Sequence, residues 1–444
     1  MAEKDENQEL SRREIRRRRR KKTQIIAYVS VVVFAIACIA GIFFGVRSVI
    51  KVISDKRQEA ELAKQLAEKQ AAEKAEEENE AEQVTETEKY SEDALLNEVI
   101  DSVMSEMTLE DKVAGLFFIT PEALTGVDKA VQAGEGTEKA LAEYPVGGLI
   151  YFDKNIQSEE QFKEMIASTG PMAKYPLFFG VDEEGGKVAR MAGSSALSIE
   201  NVGAMGEIGA SGDPAKAYDA GKTIGTYLSE YGINVDFAPV ADLLTDPDNK
   251  TIGDRSFGTD AATVGQMSAQ TAAGLQDAGV SACLKHFPGL GSTKVDTHNK
   301  LAESERTLEE MQSAEFLAFQ PGIENGVDLV MVSHLAVPDV TGDSTPASLS
   351  GVMISDLLRG ELGYEGVVIT DALNMGAITE NYSSSEAAVK AVEAGADMLL
   401  MPEDFKEAYD GLLEAVQNGT ISEERINQSI KRIYKVKYRS VLSE

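Results

Sequence analysis

The sequence predicts an α/β chain: a (β/α)8 TIM-type barrel preceded by one transmembrane helix and a charged stalk. Three observations carry this. Eight short apolar runs recur between about Ser91 and Met401, separated by longer segments with helical spacing. Before them, the 24 residues Thr23–Val46 contain no charge and follow a basic cluster. Between the two, residues 51–90 carry 7 basic and 12 acidic residues and neither glycine nor proline.

The elements follow in chain order. Residues 1–22 hold ten Lys/Arg against five Asp/Glu and read as a cytoplasmic tail. Residues 23–50 read as the anchor, because about 20 apolar residues span a bilayer as helix. The basic block on the amino side places the amino terminus in the cytoplasm and the rest of the chain outside. A cleaved signal peptide is the rival reading, but its apolar region is about 7–15 residues long. A lipoprotein anchor at Cys38 is a third; Ala35 suits it poorly, and the apolar run continues past Cys38 to Val46. Residues 51–90, rich in Ala, Glu, Lys and Gln, favour helix, yet only Leu62 and Leu66 start an apolar seam. They read as a solvated helical or disordered stalk, reaching about 60 Å if fully helical.

Residues 91–444 form the barrel domain. Its strands are expected in the runs ending at Ile119, Tyr151, Val181, Val240, Leu284, Val332, Thr370 and Met401. Most lack strict alternation, as strands buried on both faces do. Helices are expected at Glu159–Ser168, Ala215–Tyr231 and Ser385–Ala394, and Glu403–Glu444 reads as a closing helix pair. A doubly wound open sheet is the alternative.

Composition excludes several functions. The net charge of −31 disfavours phosphate-backbone contacts with nucleic acid. Two cysteines exclude a disulfide framework and a cysteine-based zinc site. Three histidines leave little room for a multi-histidine metal centre.

In a barrel, catalytic groups sit where strands end and loops begin. Asp182 and the stretch to Arg190 follow the third run, and Asp242 the fourth. Lys285-His286 and the loop to His298 follow the fifth, His334 the sixth, and Asp371 the seventh. Singly, each has a plainer reading: an aspartate after a strand is commonly a helix cap, and a lone histidine a structural residue. Their joint placement favours a site. Asp371 suits a nucleophile or charge stabiliser. Asp296 and His298, two apart, can face the same way in extended backbone. The carboxylate can then fix the imidazole tautomer and raise its pKa, making His298 a candidate general acid/base. Lys285, Arg190 and Arg255 supply donors, and Asp182 can accept from vicinal hydroxyls. Such density of polar groups suits a carbohydrate.

The motifs MTLEDKVAGLFF, DEEGGKVAR, IGDRSFG, KHFPGLGSTKVDTH and ITDALNM, in this order, resemble glycoside hydrolase family 3, and within it the bacterial β-N-acetylhexosaminidases. The resemblance runs from about Met107 to Met401. It implies a barrel that hydrolyses terminal β-linked sugars with retention and needs neither metal nor other cofactor. By motif position Asp371 resembles the nucleophile, His298 the acid/base and Asp296 its partner. Asp182, Arg190, Arg255, Lys285 and His286 match residues that hold the N-acetylglucosamine, and His334 and Asp242 match positions near the site. Leu290 stands where the KHFPGHG pattern has histidine, Lys187 where arginine is common, and Ala372 where aspartate often follows the nucleophile.

The implied protein is a membrane-anchored exo-β-N-acetylglucosaminidase whose catalytic domain lies outside the cytoplasmic membrane, acting on cell-wall fragments that contain β-linked N-acetylglucosamine. Phosphorolysis is a close rival, because a neutral imidazole repels an incoming anion less than a carboxylate does. A metal-dependent barrel using His286, His298 and His334 would carry His-x-His after its first strand; this chain has Phe117-Phe118-Ile119-Thr120 there. A non-catalytic wall-binding barrel is at odds with intact Asp371, Asp296 and His298.

Overall fold

The computed structural model describes residues 92–293 and 300–442. The basic tail, the apolar segment and the stalk, with Asp296 and His298, lie outside the described residues. The chain divides into two units, Met1–Lys89 and Tyr90–Glu444, and everything described belongs to the second. No helix among the described residues is long and apolar enough to cross a membrane.

Eight parallel strands form the centre: β1 (Phe117–Ile119), β2 (Gly148–Ile150), β3 (Phe178–Val181), β4 (Val235–Asp236), β5 (Ser281–Phe287), β6 (Leu329–Val332), β7 (Val367–Thr370) and β8 (Leu399–Leu400). They lie in the order β7-β6-β5-β4-β3-β2-β1-β8, each predicted run supplying one strand. The two outer strands approach each other through an Ile369–Met398 bridge and a Thr370 N to Met398 O hydrogen bond of 3.1 Å. The result is a nearly closed parallel barrel rather than an open sheet. All residues of β1, β2, β3, β6 and β7 are buried, which explains why these runs are apolar throughout instead of alternating.

The interior is packed with side chains. The Phe118 ring stands edge-on to Phe237 at 5.1 Å between centroids. A Cβ on Gly148 or Gly180 would come within 2.7 and 2.6 Å of that ring, so two glycines make room for one phenylalanine. Ten principal helices surround the sheet: α1 (Glu92–Glu106), α2 (Glu135–Glu143), α3 (Glu159–Thr169), α4 (Pro214–Glu230), α5 (Ala261–Asp277), α6 (Glu315–Glu324), α7 (Val352–Glu361, wound as a π-helix), α8 (Ser384–Ala394), α9 (Phe405–Gln417) and α10 (Glu423–Leu442). Their starts follow local chemistry. Ser383 and Glu386 form a capping box on α8, and Asp404 caps α9 through two backbone amides.

The closing helix is fixed electrostatically. Arg359, Arg425 and Arg432 converge on the buried carboxylate of Asp397, which also accepts from Ser429 Oγ at 2.7 Å and Val368 N at 3.0 Å. This carboxylate ties α7 and α10 to β7.

Two strands differ from expectation. The regular ladder of β4 covers only Val235–Asp236, with an isolated Val240–Lys285 bridge beyond it; Pro239 has no N–H to donate and interrupts the pairing. Conversely β5 continues to Phe287, so Lys285 and His286 lie in the strand and not after it.

Candidate active site

A cavity of about 400 Å³ opens at the carboxyl ends of the strands, lined among others by Asp182, Glu184, Arg190, Arg255, Lys285, His286 and Asp371. Strand β3 delivers Asp182 directly. A hairpin of Glu183–Gly185 and Val188–Ala189 follows, with Gly185 and Gly186 at φ 85° and 56°, where a side chain would be strained. This turn places Glu184 among the cations.

Those charges form a chain. Lys285 Nζ donates to Asp182 Oδ1 at 2.8 Å and meets Glu184 Oε1 at 2.6 Å. Arg255 grips the same Glu184 with two bonds, Nε to Oε2 and Nη2 to Oε1, both 2.7 Å. Burial alone would raise the Glu184 carboxyl, but Lys285 and Arg255 hold it down at about 2. Burial would likewise discharge Lys285, but Asp182 and Glu184 reverse this and raise its pKa. Glu184, Lys285 and Arg255 therefore stay ionised at neutral pH and present fixed charges to a ligand. Arg190 stands further off, its Nη2 3.9 Å from Asp182 Oδ2 and its guanidinium 5.7 Å from the Phe152 ring centre.

Behind Arg190, the buried Glu183 carboxylate accepts from the amides of Met191 and Ala192 at 2.7 and 2.8 Å, and from Tyr227 Oη at 2.8 Å. Burial outweighs these donors and raises its pKa. The contacts fix the backbone on which Arg190 is carried.

Asp371 lies at the end of β7. Its backbone N–H donates to Val332 O at 2.8 Å, and its Oδ1 accepts from the Ala372 amide at 2.8 Å. His286 lines the cavity with its Nδ1 2.7 Å from Asp242 Oδ2. The carboxylate draws the proton to Nδ1, which leaves Nε2 an acceptor in the neutral ring. Asp242 is fully buried and does not line the cavity. Its Oδ1 also accepts from the Leu290 amide at 2.6 Å, while Asn249 Nδ2 donates to Leu290 O at 2.7 Å. One carboxylate thus orients His286 and secures the start of the loop that leads to His298.

His334 is fully buried and stands behind the cavity lining. Its Nδ1 lies 2.7 Å from Ser348 Oγ and its Nε2 2.9 Å from Ala372 O. Of the ten residues singled out from the sequence, the structure brings six to the cavity lining, sets Asp242 and His334 behind it, and does not describe Asp296 and His298.

Sequence reasoning missed Glu184, Glu183, Phe152, Asn374 and Met401. Phe152, Asn374 and Met401 line the cavity, and Met401 does so at φ 46°, the one positive-φ residue other than glycine among those described. The available signal was charge matching: Asp182-Glu183-Glu184 are three acids in a row, against Arg190, Arg255 and Lys285 as cations to be paired.

Comparison with known proteins is decisive on family. Residues 108–436 match the glycosyl hydrolase family 3 N terminal domain. The chain belongs to glycosyl hydrolase family 3. A family 3 β-N-acetylglucosaminidase from Paenibacillus sp. str. FPU-7 is similar in structure, with a TM-score of 0.71 and 39% identity, over 76% of this chain and 64% of that one. Beta-hexosaminidase LpqI of Mycobacterium tuberculosis is 34% identical over 343 residues, 74% of this chain and 82% of that protein. Beta-hexosaminidase A of Pseudoalteromonas piscicida is 30% identical over 322 residues, 67% of this chain. The chain spans only 54% of that last relative's length. The family 3 membership read from the five motifs agrees with these matches.

Proposed function

We propose that this family 3 chain is an exo-acting, retaining β-N-acetylglucosaminidase that releases terminal N-acetylglucosamine from cell-wall glycans. The observation that carries the reading is a cavity of about 400 Å³ with Asp371 and the Asp182–Lys285–Glu184–Arg255 array on its walls. That size lies at the small end of ligand pockets, about 300–1,000 Å³, and fits one hexosamine with the reacting bond at its rim. The names of the relatives support the same sugar.

The chemistry follows from residue types. Asp182 accepts from sugar hydroxyls, while Lys285, Arg255 and Arg190 donate to hydroxyl and amide oxygens. Asp371 attacks the anomeric carbon as His298 protonates the departing oxygen, giving a glycosyl ester on Asp371. His298 then takes a proton from water, which attacks the same carbon and frees Asp371. Two inversions give retention. Asp296 holds the imidazole and supports its charged form. No step calls for a cofactor.

The uncharged Thr23–Val46 segment behind its basic cluster supports a single-pass anchor with a cytoplasmic amino terminus and the barrel outside the cell membrane. Cell-wall fragments in which N-acetylglucosamine precedes a muramic acid are then the accessible substrate class.

Product identification tests the reading. The purified chain, given muropeptides, should release free N-acetylglucosamine, and added phosphate should not convert the product to sugar 1-phosphate. No release from muropeptides or from a chromogenic β-N-acetylglucosaminide would overturn it.

A further inference from the structure

We infer that His334 is a positioning residue for Asp371, acting through the Ala372 carbonyl, and that it does not touch the sugar. The inference rests on the reading of Asp371 as nucleophile. It stands on the hydrogen bonds behind β7. Ala372 O can only accept, so His334 Nε2, 2.9 Å away, carries a proton and donates to it. In the neutral ring Nδ1 is then an acceptor, and Ser348 Oγ, 2.7 Å away, donates to it. Ser348 is itself fixed, its backbone amide donating to Ser333 O at 2.9 Å. The ring and Ser348 are fully buried. The Ala372 carbonyl therefore selects the Nε2–H tautomer, and the Ser348 hydroxyl, which can donate or accept, tethers the other side of the ring.

The other end of this relay is the nucleophile. The Ala372 amide donates to Asp371 Oδ1 at 2.8 Å, which orients one carboxylate oxygen. That amide points correctly only while residue 372 keeps its backbone angles. His334 and the Met375 amide, at 3.1 Å, both hold the Ala372 carbonyl, and the Leu373 amide donates to Leu400 O at 2.8 Å. Without His334, the Met375 and Leu373 bonds keep the turn folded but leave it looser. A misplacement on the order of 1 Å at a reacting group can reduce rate about 10²-fold.

The experiment compares the full-length chain with His334→Ala, His334→Gln and Ser348→Ala on an activated aryl β-N-acetylglucosaminide. The first-turnover rate of glycosyl-enzyme formation, KM and thermal midpoint are measured for each. His334→Ala should lose about 10- to 100-fold in first-turnover rate with KM within about threefold of wild type. His334→Gln, whose amide N–H can reach the same carbonyl, should recover most of that rate. Ser348→Ala, which removes the second tether of the ring but leaves Ala372 O to fix the tautomer, should fall between the two. If His334→Ala fails to fold, the Gln and Ser348 variants carry the test. A loss that appears in KM would overturn the proposal by making His334 a sugar contact. So would rates at wild-type level in every variant that folds, or a Gln variant no faster than Ser348→Ala. Asp371→Ala is assayed alongside: wild-type turnover there would remove the nucleophile reading and this proposal with it. A dead Asp371→Ala with His334→Ala at wild-type rate would remove this proposal alone.

Discussion

Replacing Glu184 by glutamine tests the electrostatic account of the cavity most directly. The side chain is almost fully buried and makes contacts of 2.6–2.7 Å with Lys285 and Arg255. Glutamine has nearly the same shape, but it removes the charge and turns one acceptor oxygen into an NH₂ group facing a cation. In the fold the carboxyl titrates at about 2, against an ordinary 4.5. At about 1.4 kcal/mol for each tenfold change in acidity, the ionised group contributes about 3 kcal/mol to stability at neutral pH. Breaking a buried pair costs about 3–5 kcal/mol, so Glu184→Gln should unfold at clearly lower urea than wild type at pH 7. Because the folded value is depressed, this contribution is complete above 4.5 and disappears as pH falls through about 2. The gap between variant and wild type should therefore narrow between pH 4.5 and 2. The chain has no tryptophan, so circular dichroism is the natural probe. Activity should fall as well, by about 10²-fold in kcat/KM, since Lys285 and Arg255 lose their shared anchor. Equal stability at pH 7, or a gap as wide near pH 2 as at pH 7, would refute the reasoning.

Four further outcomes are expected. Asp371→Ala should keep its thermal midpoint within a few degrees, because the carboxylate faces a cavity, and should lose turnover by several orders of magnitude; retention of more than about a tenth of the activity would count against a nucleophile. His298→Ala should lose about 10²–10⁴-fold on a disaccharide and much less on a nitrophenyl glycoside, whose leaving group needs little protonation; equal losses on both substrates would make His298 a binding residue. Protease added to intact, wall-stripped cells should cut within residues 51–90 and release an active soluble domain; full protection would contradict the outward orientation. In product assays at increasing phosphate, free N-acetylglucosamine should remain the sole sugar released, and a rising share of sugar 1-phosphate would reassign the second step.

The barrel was legible because its strands are parallel and buried on both faces. Runs such as Leu329–Val332 and Val367–Thr370 are fully buried, so their apolar character is a direct imprint of the fold. Asp371, Asp182 and Lys285 were legible because strand ends in a barrel converge on one site. What stayed hidden depends on partners distant in sequence. Asp242 and His334 follow strands as cavity residues do, but their carboxylate and ring are taken up by His286, 44 residues away, and by Ser348 and Ala372. Glu184 went unnoticed because its partners lie 71 and 101 positions further along. Nothing in local spacing announces such a pairing, though the balance of acids and cations around the motifs does.

The twofold duty of Asp242 has a consequence for engineering. The same side chain orients a cavity-lining imidazole on β5 and secures Leu290 at the start of the following loop. The orientation of one cavity-lining ring and the start of the next loop are thus wired to a single position on a neighbouring strand. A loop transplanted from this barrel into another would arrive unmoored unless position 242 travelled with it. A library that diversified the loop alone would sample conformations already constrained from outside its own borders.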